Sequence, residues 1–230
     1  MKYMGSKRSI AKYILPIILK DRKSTQWYIE PFVGGANTID KVNTDYTIGN
    51  DNNFFLISMF NALQNGWVPP EYVSIDEYNS IKNNKMLYKP ELVGYVGFNT
   101  YGSKWFGGYC RDKKGKRDHW REHFNNIMKQ VPHLSNIIFT CSEYYDVPLF
   151  NKSIVYCDPP YKDTTQYNST IDYEFLYIWL RSLRADGHTV FLSEFSAPED
   201  FVCVWEKQRA TSLTQNTFSR TGVEKLFKIV

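Results

Sequence analysis

The sequence predicts an α/β fold, a mostly parallel sheet covered by helices on both faces and interrupted by an insertion. Three observations lead there. Short apolar runs of strand length alternate with helical patterns towards both ends of the chain. Two of those runs end in glycine- or proline-bearing turns, the kind that build sites at the carboxyl edge of such sheets. The alternation is lost across residues 60–132.

In order along the chain, residues 10–19 carry apolar side chains at helical intervals, predicting a first helix behind a basic N-terminal segment. Trp27-Tyr28-Ile29-Glu30 reads as a strand and runs into Pro31-Phe32-Val33-Gly34-Gly35-Ala36, where the glycines should end the strand and open a helix. A second strand is expected around Tyr46, Thr47 and Ile48, just before Gly49-Asn50-Asp51. Three more are readable at residues 136–140, 153–157 and 189–193, and residues 173–183 have a helical pattern. The intervening stretch is rich in Asn, Tyr, Gly and Lys. It reads as an insert of residues 60–132 within a core formed by residues 1–59 and 133–230.

Composition narrows the class. With 43% hydrophobic and 17% aromatic residues, the chain can bury a sizeable core and is not a disordered tail. No apolar run could cross a bilayer and the first residues lack a signal-peptide pattern, so a soluble, cytoplasmic protein is expected. Cys110, Cys141, Cys157 and Cys203 have neither CxxC pairing nor zinc-knuckle spacing, and are read as reduced thiols. The net charge of +4 is modest, but the window from Lys104 to Arg121 alone holds seven basic and two acidic residues. The positive excess is therefore local, the footprint of a polyanion contact. There Tyr109-Cys110-Arg111 and Lys116-Arg117 flank Asp112-Lys113-Lys114-Gly115, which predicts a basic hairpin.

The strongest chemical signal is Asp158-Pro159-Pro160-Tyr161, directly after the strand Ile154-Val155-Tyr156-Cys157. At ordinary residue usage, a given tetrapeptide is expected about 0.001 to 0.002 times in such a chain. An amino group on a nucleobase is a poor nucleophile because its lone pair is delocalised into the ring. A carboxylate and a carbonyl that accept both amino hydrogens favour a pyramidal nitrogen and stabilise the charge that develops on attack. Asp158 and Pro159 can supply them, the prolines fix their direction, and Tyr161 can stack on the base for about 1–3 kcal/mol. No metal is required.

The turn Glu30-Pro31-Phe32-Val33-Gly34-Gly35 has glycines that would let a ligand approach the backbone. Asp51 follows Glu30 by 21 residues and lies just after the next strand, where an acid can bind ribose hydroxyls. Turn, acid and tetrapeptide together suit a cofactor with a ribose and a carboxylate, and S-adenosylmethionine has both. A competing motif, His119-Trp120-Arg121-Glu122-His123, fits the HxxEH pattern of inverted zinc peptidases. It lacks a recognisable third ligand and lies in the basic aromatic insert, so a surface helix explains it as well.

These motifs resemble those of the Dam-type family of DNA adenine N6-methyltransferases, the D12 class in its alpha group, and the resemblance spans nearly the whole chain. It includes Tyr3-Met4-Gly5-Ser6-Lys7, similar to the family's N-terminal cofactor segment, with Tyr3 and Lys7 at its aromatic and lysine positions. Glu30, Pro31, Phe32, Gly34 and Gly35 resemble the methionine-side motif, Asp51 the ribose acid, and Glu143-Tyr144 the segment beside the cofactor adenine. Ser193-Glu194-Phe195 resembles the wall of the base pocket. Ala36 stands where many relatives have a further glycine, and Glu143 where aspartate is common.

The resemblance implies a Rossmann-like methyltransferase core, dependent on S-adenosylmethionine, with an inserted and mainly helical DNA-recognition domain bearing the basic hairpin. It implies transfer of a methyl group to N6 of an adenine flipped out of duplex DNA into a pocket lined by Asp158, Tyr161 and Tyr144. Cytosine N4 or RNA adenine methylation, and a catalytically silent DNA-binding relative, stand as alternatives. For DNA, Lys113, Lys114 and Lys116 are assigned to phosphate, with Lys104 in the same basic window. Arg111, Arg117 and Asn99 are assigned to base edges, and Lys7 is expected to reach the duplex from the cofactor pocket. Double-stranded DNA is the expected partner, a single copy of the chain sufficing, in a bacterial cell or encoded by a virus.

Overall fold

A computed structural model describes residues 1–111, 117–161, 171–210 and 221–230 of the chain. Its strands are β1 (Tyr28–Glu30), β2 (Thr47–Asn50), β3 (Ile137–Thr140), β4 (Ile154–Cys157), β5 (Thr189–Glu194), β6 (Phe201–Ala210) and β7 (Thr221–Ile229). Its helices are α1 (Ala11–Ile18), α2 (Phe54–Gln64), α3 (Ile75–Asn83), α4 (Pro90–Phe98), α5 (His119–Gln130) and α6 (Tyr173–Ala185). The strands join in one sheet with the order β3-β2-β1-β4-β5-β7-β6. Pairing is parallel from β3 to β5, whereas β7 runs antiparallel to both of its neighbours. The order reverses between β1 and β4. In open α/β sheets such a switch point, at the carboxyl ends of the strands, is where ligands bind.

The central strands are buried on both sides because their side chains alternate between two cores. Tyr28, Ile154, Tyr156 and Phe191 face a cluster built with α1, α2 and the helices of the insert. Ile29, Val155, Cys157, Val190 and Leu192 face a second cluster built around Leu176, Trp179, Leu180 and Leu183 of α6. Period-two alternation with apolar residues at every position is the pattern of a sheet covered on both faces. Helix starts follow their caps. Asn53, Ser74 and Asp118 each accept a backbone N–H from three residues on, and Asp172 accepts from Glu174 and Phe175.

The five parallel strands, α1 and α6 lie where the sequence expects them, within a few residues. The turn after β1 does not. Its glycines end the strand but open no α-helix; only the single 3₁₀ turn Ile39–Lys41 follows. Gly34 has φ +46° and Ala36 φ +53°, and these left-handed positions interrupt any helical run. An anion site made by a helix N-terminus is therefore not what this turn provides.

Residues 60–132 contain α3, α4 and α5 and share their core with the rest of the chain. Val73, Tyr78, Val93, Tyr95, Phe98, Trp120 and Ile127 belong to the same buried cluster as Ile14, Leu56 and Phe60. Residue 60 itself lies inside α2. Helices α2 and α4 approach so closely that a Cβ on Gly94 would run into the Phe55 carbonyl. The tip of the expected basic hairpin, with Lys113, Lys114 and Lys116, lies outside the described residues; beside it, Thr100 and Tyr109 form an antiparallel bridge. The four cysteines are free. No helix among the described residues is long and apolar enough to cross a membrane.

Candidate active site

The carboxyl edge of the sheet brings together the turns that follow β1, β2, β3 and β4. Asn50, the last residue of β2, is fully buried and ties the turns after β1 and β3: its amide donates to the carbonyls of Pro31 (3.2 Å) and Ser142 (3.0 Å). Its carbonyl oxygen accepts from the hydroxyls of Thr140 and Ser142, both at 2.9 Å. Asp51 comes next, outside the strand. Its carboxylate accepts the backbone N–H of Gly34 at 3.1 Å and that of Asn53 at 3.0 Å, so the glycine turn and the acid are one unit. Burial pushes the Asp51 carboxyl up to about 6, against the two backbone N–H groups that hold it down.

Tyr3 presses on both glycines. A Cβ on Gly34 would come within 2.7 Å of the Tyr3 ring, and one on Gly35 within 2.6 Å of the Tyr3 Cβ and 2.5 Å of the Asn37 amide nitrogen. The expected close approach exists, but a residue of the N-terminal segment makes it. Beside this turn the rings of Phe32 and Tyr144 lie 5.1 Å apart, and the Asn52 amide donates to the Glu143 carboxylate at 3.3 Å. Pro31 adjoins Glu30, which is buried and accepts from the Tyr28 hydroxyl at 2.7 Å. Burial, with the charge of Asp158 nearby, raises the Glu30 carboxyl well above the usual range.

Asp158-Pro159-Pro160-Tyr161 leaves β4 at the same edge, and the Asp158 side chain keeps 22% exposure, enough for a ligand to touch. Lys7 reaches it from the N-terminal segment: its ammonium lies 2.7 Å from Asp158 Oδ1 and 3.1 Å from Glu224 Oε1. Burial and Glu224 push the Asp158 carboxyl up to about 6, with Lys7 pulling the other way. Burial alone would lower the Lys7 ammonium, but Asp158 and Glu224 outweigh it and leave it raised. The Tyr161 ring has the Lys7 ammonium 4.4 Å from its centre and Phe195 edge-on at 4.7 Å, and its hydroxyl donates to Glu224. Behind it the Tyr173 hydroxyl lies within reach of the Pro160 carbonyl (2.6 Å) and the Glu194 carboxylate (2.7 Å).

The cofactor and tetrapeptide residues read from the sequence thus converge on one edge of the sheet, whereas several DNA candidates do not face outward. Lys7 is only 4% exposed and is turned into the pocket, so as seated it is no surface contact to a duplex. Asn99 is 5% exposed, buried in the insert, and cannot reach a base edge from there. Arg117 is exposed but forked onto Glu122 at 2.7 and 2.9 Å. Arg111 is exposed and Lys104 half-buried. In the HxxEH segment, pairing with Arg117 and Lys2 holds Glu122 at about 2, while burial drives His123 down to about 3. The acid is spent on cations and one histidine is sealed in the core. No cluster of three or more metal-ligating side chains occurs among the described residues.

Sequence reasoning missed Glu224, Asn50 and Gln130, whose amide ties the end of α5 to the carbonyls of Gly35 and Ala36 at 3.1 Å each. All three act through partners far away in the chain. No local pattern marks them.

Comparisons with known proteins bear on this arrangement. Over 194 residues, 73% of this chain, the sequence is 24% identical to the type II methyltransferase M.FokI of Planomicrobium okeanokoites. The chain spans only 30% of that relative's length. The solved structure of SMU.472 in complex with SAH superposes over 99% of this chain and 54% of its own, with 10% identity and a TM-score of 0.42, too slight to bear on the assignment. The model of the D12 class N6 adenine-specific DNA methyltransferases matches residues 3–91 and 106–198, which include the N-terminal segment, the glycine turn, Asp51 and the tetrapeptide. By that match the chain belongs to the D12 class N6 adenine-specific DNA methyltransferase family.

Proposed function

We propose that the protein is a site-specific DNA methyltransferase that transfers a methyl group from S-adenosylmethionine to N6 of an adenine in duplex DNA. The observation that carries this reading is Asp158, a partly open carboxylate set on a two-proline turn at the switch point, opposite the unit formed by Asp51 and Gly34.

The residues present fit the cofactor. Each Asp51 oxygen already accepts one backbone N–H, which fixes the carboxylate to receive ribose hydroxyls. Phe32 and Tyr144 offer aromatic surface for an adenine ring. Asp158 and Glu224 flank one buried lysine, with Glu194 acting on Asp158 from the next strand, an acidic surround that favours a cation. S-adenosylmethionine supplies that cation, a sulfonium carrying the transferable methyl group.

The target adenine leaves the base stack, because N6 cannot reach the interior of the sheet edge while paired. Asp158 and the Pro159 carbonyl accept the two amino hydrogens, which directs the nitrogen lone pair out of the ring plane. Tyr161, fixed by Phe195 and Glu224, and Tyr144 line the base. Residues 1–59 and 133–230 act as the catalytic core and residues 60–132 as the DNA-reading insert. Lys104, Arg111 and Arg117, with Lys113, Lys114 and Lys116 beyond the described residues, contact the duplex. A bacterial or virus-encoded enzyme acting in the cytoplasm, alone or beside a restriction nuclease, fits this reading.

Incubation of the protein with methyl-labelled S-adenosylmethionine and equal amounts of duplex DNA, single-stranded DNA and RNA tests the substrate. Label confined to duplex DNA is expected. Preferential labelling of RNA, or of no nucleic acid, would overturn the reading.

A further inference from the structure

Glu224 is absent from every motif discussed above, yet it touches two of their residues. It sits on β7, and because β7 is antiparallel, its early residues reach the carboxyl edge where β4 and β5 end. The last pair between β5 and β7 is Glu194 with Lys225, so Glu224 lies one residue further, where Lys7 links it to Asp158. It is 7% exposed, and its Oε1 is shared between the Lys7 ammonium at 3.1 Å and the Tyr161 hydroxyl. Lys7 in turn lies 2.7 Å from Asp158. One buried ammonium is therefore divided between two carboxylates, only one of which belongs to the tetrapeptide.

We propose that Glu224 is a positioning residue for the tetrapeptide, competing with Asp158 for the Lys7 ammonium and locking the Tyr161 ring, so that Asp158 can exchange its lysine contact for the substrate amino group. This rests on the adenine methylation proposed above. The physical reason lies in what remains without Glu224. An ammonium left with the Gly5 carbonyl and one carboxylate partner in a desolvated pocket binds that carboxylate more firmly, and breaking the pair costs the substrate each time it binds. A second carboxylate divides the pull on Lys7, as a lysine between two acids is drawn to both. It also fixes the hydroxyl end of Tyr161, whose ring meets Phe195 edge-on and has the ammonium near its centre.

The titratable groups facing Asp158 are Lys7 from the N-terminal segment, Glu224 from β7, Glu194 from β5 and Glu30 from β1, with the phenols of Tyr28, Tyr156 and Tyr161 and the thiol of Cys157 around them. Of the two acids that raise Asp158, Glu224 weighs more than Glu194. Removing its charge while keeping its shape should therefore lower the Asp158 titration and strengthen its bond to Lys7.

The test is the carbon-13 titration of the Asp158 carboxyl in the intact protein, with kcat and KM measured beside it. In the unaltered protein the midpoint is expected near 6. Glu224→Gln, nearly isosteric, should lower it by about one unit and reduce kcat up to about a hundredfold, with KM for the cofactor unchanged. Glu224→Asp keeps the charge and should leave the midpoint near its original place. A purely structural role predicts the reverse, a harmless Gln and a damaging Asp. In a Lys7→Met background, Glu224→Gln should cost much less in kcat, because the two act through one contact. An unchanged midpoint in Glu224→Gln, or full additivity with Lys7→Met, would overturn the proposal. If Glu224→Gln does not fold, a lowered midpoint in Glu224→Asp does so. Should the unaltered protein methylate nothing, the functional reading falls while the titration still decides this one.

Discussion

At the scale of residues, the chemistry of the site is set by where two aspartates sit relative to water. Asp158 and Asp51 are each raised to about 6 chiefly by burial, and in the proposed reaction each works best ionised, as a charge-assisted acceptor. Since the charged form is the working one, methyl transfer should fall as pH drops through about 6 and level off above it; the pH dependence of kcat reads this. Asp51→Ala removes a charged acceptor that two backbone N–H groups hold in place. S-adenosylmethionine affinity should fall by roughly ten- to a hundredfold, as for loss of a charge-assisted hydrogen bond, and calorimetry would show it. An unchanged affinity would remove Asp51 from the site. These residues were legible in the sequence because a rare tetrapeptide and an acid at a fixed interval after a glycine turn are local signals. Glu224 was not, since it meets Lys7 from the other end of the chain, across 217 positions. Asn99, assigned to a base edge, is instead buried by packing that its neighbours in sequence do not announce.

At the scale of elements, the parallel strands were legible because each is a short apolar run closed by a turn, and α6 because its apolar face repeats at helical spacing. Strands β6 and β7 carried no comparable signal. In Phe201–Ala210 polar residues fill the second half, and Val202 and Val204 are exposed, so the segment lacks the buried apolar run that marks β4. It is held instead by a long antiparallel ladder, which neighbouring residues do not announce. The turn after β1 misled in the other direction. Its glycines were read as a helix start, but Gly34 and Ala36 adopt left-handed backbone there. Ala36 at φ +53° is strained, since a Cβ in that region costs roughly 1–2 kcal/mol, part of which glycine would return as lost chain entropy. Ala36→Gly should therefore raise stability by up to about 1 kcal/mol in denaturant melts. A loss of stability would show that the Ala36 methyl contributes more to packing than its backbone costs.

At the scale of the whole molecule, one buried core runs from the sheet through α3, α4 and α5. His123 lies within this continuity, fully buried on α5 beside Tyr95, with burial holding it down at about 3. A histidine whose folded value is depressed supports the fold above its unfolded value, near 6.5, and that support drains away as pH falls towards 3. Each pH unit in that window is worth about 1.4 kcal/mol for a single proton. His123→Leu should therefore flatten the acid side of the stability curve relative to the unaltered protein, and parallel curves would contradict this. The central claim is that Asp158 and its rigid turn activate an adenine amino group. Nucleoside analysis by mass spectrometry, on duplex DNA incubated with the protein and S-adenosylmethionine, tests it most directly. N6-methyladenine should appear with the unaltered protein and be lost with Asp158→Asn, whereas N4-methylcytosine, or full N6-methyladenine from the variant, would contradict it.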